Sequence, residues 1–148
     1  MSFRDAAIAD LAYCYRVYAS GMHEVVTRLY GWDEAVQREK FVSVFRLGEI
    51  RIICGRIGPA SDEVGWLQVE AEANDLHVKE LHIVSGSQNL GLGAWAIGQV
   101  IEEAAAVKKD VRLTALQSSP AIRFYQRHGF RVESEEHLLV HLRRPCGA

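Results

Sequence analysis

Apolar residues recur along this chain in two rhythms, a helical spacing of three to four and a strand-like alternation, and their order predicts the elements. Phe3-Arg4 is short enough to form only an edge strand. Asp10 then offers an N-cap for a helix with Leu11, Tyr15, Tyr18 and Met22 along one face. Asp33 caps a second helix running to about Phe45, with Val36, Phe41, Val44 and Phe45 as its apolar members and Gly48 just past its end. The segment Thr27–Trp32 joins the two.

Alternation takes over from Ile50. Ile50–Cys54 and Val64–Glu72 read as consecutive strands joined by the turn Gly58-Pro59-Ala60-Ser61-Asp62, and Asn74-Asp75 reverses the chain into a third strand, Leu76–Val84. On the second strand Val64, Trp66, Gln68, Glu70 and Glu72 share one face, which by its mixed composition is the solvated one, with Trp66 partly covered. After Gly93 a helix carries Ala94, Ile97, Ile101, Ala104 and Ala105 at helical spacing and ends near Lys108-Lys109, where cations suit the dipole. Val111–Leu116 is the next strand, and a crossover this long implies parallel pairing with Leu76–Val84. Pro120 suits the first turn of a short helix that stops at Gly129, and Phe130–Glu133 with His137–Leu142 form a closing hairpin. An antiparallel meander followed by one βαβ crossover describes an α+β protein, with a mixed, mostly antiparallel sheet and helices on both faces.

The length of 148 residues fits one domain with one core. A net charge of −2, with Arg and Lys scattered, argues against a nucleic-acid surface. Cys14, Cys54 and Cys146 are odd in number and far apart, so neither a disulfide framework nor a metal site is expected, and the compartment reads as reducing. Met1–Asp5 lacks the apolar run of a signal peptide, and no stretch of ~18 apolar residues suggests a membrane span. A cytoplasmic protein is the expectation.

Chemistry concentrates where Leu76–Val84 runs into Ser85-Gly86-Ser87-Gln88-Asn89-Leu90 and Gly91-Leu92-Gly93 opens a helix. The first turn of such a helix has backbone N–H groups without intrahelical partners, and with the dipole they make an anion site. Gly91 and Gly93 let a phosphate approach the backbone. A phosphate-bearing ligand is therefore expected.

Gln-x-x-Gly-x-Gly at 88–93 resembles the coenzyme A pyrophosphate loop of the GNAT acetyltransferase superfamily. A second block, Ser119-Pro120-Ala121-Ile122-Arg123-Phe124-Tyr125-Gln126-Arg127-His128-Gly129-Phe130, is similar to that superfamily's later motif, and Gly31-Trp32-Asp33-Glu34 to a segment of one subgroup. The resemblance implies the GNAT (acyl-CoA N-acyltransferase) fold, in which two central parallel strands splay and the pantetheine arm of acetyl-CoA pairs with one of them, here through the Ile83 backbone. It implies an acetyl-CoA-dependent N-acetyltransferase acting on an amine of a small molecule or protein by direct attack in a ternary complex. Residues 88–94 (Gln88, Asn89, Leu90, Gly91, Leu92, Gly93 and Ala94) and Ser119 would hold the cofactor. Leu90 stands where the family usually carries a basic residue, Asn89 where Gly is frequent, Ser119 where Asn is common and Ser87 where an aromatic is usual. Phosphate binding would then rest on backbone donors plus Gln88.

Acetyl transfer needs an unprotonated amine, a polarised thioester and an acid for the departing thiolate. The resemblance assigns the acid to Tyr125; the alternative is an ordinary packing residue with its hydroxyl at the surface. Glu80 and His82 alternate onto one face of the strand entering the turn, and either can serve as base, with ordered water as the alternative and Glu70 as a third carboxylate. Tyr30 and Trp32 would line the acceptor pocket, although Trp32 also suits a hydrophobic staple before Asp33. His137 falls near the family's acceptor cleft, Arg143-Arg144 reads as a solvated chain end, and Leu138–Leu142 offers a strand for a homodimer sheet.

Gly91-x-Gly93-x-x-Ala96 also fits a relaxed dinucleotide fingerprint, but the next strand ends in Gln117-Ser118 where an acidic residue is required. A P-loop is excluded because no Gly-Lys-Ser/Thr follows. The rival from another class is a GNAT-fold module that binds coenzyme A or a protein partner without transferring acetyl groups.

Overall fold

The computed structural model describes residues 1–57, 60–88 and 90–148, so Gly58 and Pro59 of the expected turn, and Asn89, lie outside the described residues. Seven strands form a sheet: β1 (Ser2–Asp5), β2 (Ile50–Ile57), β3 (Ala60–Ala71), β4 (Asp75–Ile83), β5 (Asp110–Leu116), β6 (Arg131–Glu136) and β7 (Leu139–Arg144), in the order β1-β2-β3-β4-β5-β7-β6. Helices α1 (Leu11–Leu29), α2 (Glu34–Val44), α3 (Leu92–Ala106) and α4 (Ala121–Arg127) complete the mixed α+β architecture. The chain divides into two units, one made of Met1–Gln68 and Glu80–Gly93, the other of Val69–Lys79 and Ala94–Ala148. Strands β3 and β4 run through both.

In the first unit β1 and β2 pair antiparallel, as do β2 and β3. A 3-10 turn, Ile8–Asp10, leads directly into helix α1. Asp10 is already helical and its carboxylate accepts from the Ala7 N–H (2.7 Å) and from Arg4 (2.8 and 2.9 Å), so it staples the preceding turn instead of capping α1. Asp33 does cap α2, accepting from the Val36 N–H at 3.0 Å. Only Phe41 of α2 is buried, whereas Val36 and Val44 are exposed.

The main correction concerns β3. Its mixed face is buried like the other: Val64, Trp66 and Gln68 are buried as Leu67 and Val69 are, and Cys14, Tyr15, Val17, Phe41, Ile50 and Ile52 pack with Trp66. Helices α1 and α2 cover this face, and Gln68 is tolerated there because its side-chain N–H groups donate to the Val44 carbonyl and to Glu49, both at 2.8 Å.

In the second unit β5 pairs parallel to β4, Asp75–Val78 against Asp110–Leu113, as the crossover demands. Strand β7 lies between β5 and β6 and is hydrogen-bonded on both sides. Leu138–Leu142 therefore has no open edge for a second copy, and that basis for a homodimer falls away. Arg143 and Arg144 are not a solvated end either. Arg143 bonds Asp75 (2.6 Å), Glu133 (2.8 Å) and Asp110 (3.2 Å), and Arg144 donates to the His128 carbonyl at 2.9 Å. His137 sits in the β6–β7 turn with a positive φ, not on a strand, and is exposed. Among the described residues no helix is long and apolar enough to cross a membrane.

Candidate active site

The exit half of β4 lies in the first unit and carries the two candidate bases. Side chains two residues apart on a strand project to one face, and Glu80 and His82 use this to pair, His82 Nε2 lying 2.5 Å from Glu80 Oε2. The two alternatives are thus one dyad. The His82 ring is tilted against Trp66 at 5.2 Å between centroids and meets Tyr18 edge-on at 5.5 Å. Tyr18 in turn donates to Gln37 Oε1 at 3.1 Å. Burial, and then the charge of Glu80, push the Tyr18 phenol up to about 12, so it stays neutral at ordinary pH. Glu70, the third carboxylate, belongs to the second unit and is bound to Lys79 at 2.7 Å.

A glycine sets the backbone beneath this dyad. The β2–β3 register steps at Ile53/Cys54, which face Gly65 and Glu63, so Val64 is the extra residue of a bulge. A Cβ on Gly65 would meet the His82 carbonyl oxygen at 2.2 Å and the Ile83 Cα at 3.1 Å. No side chain fits there. The available signal was an isolated glycine inside a strand pattern, which marks a bulge or a close backbone approach.

The turn then leaves the strand. The Val84 N–H donates to the Val64 carbonyl (2.9 Å), a 3-10 turn spans Ser85–Ser87, and Gln88 Nε2 donates to the Ile83 carbonyl at 3.3 Å. Gln88 therefore ties the loop to the strand end. Gly91 has φ +78°, a conformation that favours glycine, and among the described residues nothing lies within 4 Å of where its Cβ would stand. Helix α3 starts at Leu92, whose side chain is buried, while Gly93 and Ala94 are half-buried and Leu90 is 61% exposed.

The acceptor candidates lie on the α1–α2 connection of the same unit. Tyr30 is exposed at the end of α1. Trp32 is held: its Nε1 donates to Glu34 Oε2 at 2.9 Å, and its ring lies 4.8 Å from His23 and 6.4 Å from Tyr18. Glu34 also accepts from Tyr15 (2.9 Å) and Arg38 (3.0 Å), and the Trp32 bond first, then Tyr15, lowers its carboxyl below the usual range. Rings thus run in contact from Trp32 through Tyr18 and His82 to Trp66. Tyr18 and Trp66 were not singled out as site residues, because both read simply as apolar positions.

Tyr125 and Ser119 belong to the second unit. Tyr125 is buried on α4, its ring packed 5.1 Å from Phe124 and 5.4 Å from Phe130 between centroids. Ser119 Oγ accepts from the Ala121 N–H at 3.2 Å and so helps to start α4. Among the described residues no three His, Cys, Asp or Glu side chains are grouped to hold a metal.

A family model described as an acetyltransferase (GNAT) domain matches residues 60–142, more than half of the 148. No curated protein sequence matches the chain. Among solved structures, the PaiA N-acetyltransferase from Thermoplasma acidophilum, in complex with coenzyme A, is similar with a TM-score of 0.77 and 15% identity, over 97% of this chain and 98% of that one. The ribosomal-protein-S18-alanine N-acetyltransferase from Escherichia coli aligns with a TM-score of 0.68 and 14% identity, over 99% and 94%. Arabidopsis thaliana NAA60, in complex with a bisubstrate analogue, aligns at 0.59 and 16%, over 96% of each chain. These likenesses share the fold, and with the family model covering β3 through β7, the chain belongs to the GNAT acetyltransferase family.

Proposed function

We propose that the protein transfers the acetyl group of acetyl-CoA to an amine of a small molecule or protein, by direct attack in a ternary complex. The observation that carries this reading is the β4–turn–α3 unit, with its positive-φ Gly91 at a helix N-terminus, inside the region matched by the family model. Bound acetyl-CoA would supply the activated thioester. Backbone donors of residues 88–94, with Gln88 and Asn89, would take its pyrophosphate, and the Ile83 backbone and Ser119 would hold the pantetheine arm. The Glu80–His82 dyad accepts the amine's proton, Tyr125 protonates the departing sulfur, and Tyr30 and Trp32 contact the acceptor's apolar part.

The test is calorimetric titration with acetyl-CoA, NADH serving as control, followed by turnover in a Tyr125→Phe variant. Loss of roughly 10²-fold or more in kcat with acetyl-CoA affinity retained is expected of an acid. Unchanged turnover across the pH range would remove Tyr125 from that role. Exposed, apolar Leu90 favours a second reading, a coenzyme A-binding module without transfer. Saturable binding without any acetyl-CoA consumption would select it.

A further inference from the structure

We propose that Nδ1 of His82 is the atom that takes the amine's proton, and that Gly21, in the middle of α1, keeps that atom within reach of the acceptor. The inference rests on the acetyl-transfer reading above and divides the labour inside the dyad. An ionised carboxylate can only accept a hydrogen bond, so the contact with Glu80 Oε2 places the ring proton on His82 Nε2. The lone pair of the neutral ring is then on Nδ1. Glu80 orients the ring and the opposite nitrogen acts as base, the arrangement seen where a carboxylate positions a catalytic imidazole. Tyr18 and Trp66 hold the ring plane, so Glu80, Tyr18 and Trp66 are positioning residues.

Access decides whether this nitrogen can work, because the His82 side chain is only 9% exposed. A Cβ built on Gly21 would lie 3.6 Å from His82 Nδ1. Among the described residues, apart from the neighbouring Ser20 and Met22 and the adjoining helix backbone, no other group comes within 4 Å of that position, and Gly21 itself is exposed. A space the size of a methyl group therefore adjoins Nδ1 at an exposed position of α1. Gly21 has no positive φ that would require glycine, and glycine inside a helix is otherwise unfavourable. Its use is to leave that space empty.

The proton balance follows. The ammonium form of the acceptor gives one proton to Nδ1, and Glu80 offsets the resulting imidazolium. The amine nitrogen then forms the C–N bond as the C–S bond breaks. Tyr125 gives its proton to the departing sulfur and recovers one from the amide nitrogen.

Diethyl pyrocarbonate, with modified histidines mapped by peptide mass spectrometry, reads access to Nδ1 without an acceptor. The unaltered protein should be carbethoxylated at His82. In Gly21→Leu that reaction should slow by about tenfold or more, with acetyl-CoA affinity unchanged, Tm unchanged or raised by roughly 2–4 °C, and kcat with n-butylamine as probe amine lowered roughly 10²-fold. Gly21→Ala, which removes a helix-interior glycine, gives a smaller slowing in the same direction and serves if the leucine variant does not fold. Equal carbethoxylation rates in the variant and the unaltered protein, or full turnover in the variant, would overturn the assignment of Nδ1 and leave acetyl transfer standing. Protection of His82 in a protein that consumes no acetyl-CoA would overturn the transfer reading and the base role together.

Discussion

The two halves of β4 carry acidic residues in opposite settings. At its entrance, in the second unit, the carboxylates meet guanidinium groups. Arg112 grips Glu72 with two bonds of 2.7 Å, Arg143 bridges Asp75, Asp110 and Glu133, and Lys109 Nζ donates to the Glu72 carbonyl at 2.6 Å. At its exit, in the first unit, the Glu80 carboxylate has His82 as its hydrogen-bond partner among the described residues, set among aromatic rings. A carboxylate locked by guanidinium is a structural fastening, because its proton affinity is suppressed. A carboxylate paired with an imidazole can share and pass a proton, the property that the proposed base role uses.

The sharpest way to break the comparison is Trp66→Ala. It removes a fully buried side chain that packs on Phe41 and His82, so a loss of about 3–5 kcal/mol in urea denaturation is expected, together with the dyad's geometry. Next comes Gly65→Ala. Its methyl meets the His82 carbonyl, and the strand must move, costing about 1–3 kcal/mol and weakening acetyl-CoA binding measured by calorimetry. Arg143→Met should cost about 1–2 kcal/mol, since Asp75, Asp110 and Glu133 lose their shared partner in a partly solvated site, while kcat stays unchanged.

The smallest effect is a pH dependence. The hydrogen bonds from Arg112 hold the Glu72 carboxyl below its ordinary value of 4.5 in the folded chain. A lowered folded value means that this contribution is present above about pH 4.5 and is lost as pH falls through the folded value. Thermal denaturation of Arg112→Met between neutral pH and pH 3 should therefore show a shallower acid decline than the unaltered protein. An identical decline would show that other carboxylates dominate it.

The order of strands and helices was legible because it depends on local periodicity and on Pro, Gly and Asp at element ends. Asp33 caps α2, Pro120 opens α4, and Gly129, with φ +87°, ends it. The glycine turn at the head of α3 and the short helix α4 were legible as spaced motifs. Burial of the mixed face of β3 was not, since a run of Val, Trp, Gln and Glu reads as solvated until two helices are laid over it. Nor were Arg143 and Arg144, whose partners Asp75, Glu133 and the His128 carbonyl lie 68, 10 and 16 residues away.

The sequence by itself determined the alternation that puts Glu80 and His82 on one face, the glycines of the turn at the head of α3, and the α+β class, because each follows from spacing along a short segment. Tertiary structure decided which nitrogen of His82 is tied to Glu80, that Tyr18 and Trp66 hold its ring, that Gly21 comes close to its other nitrogen, and that Gly65 is needed where it stands. These depend on distances between α1, β3 and β4, segments separated by tens of residues, and no local pattern encodes such distances.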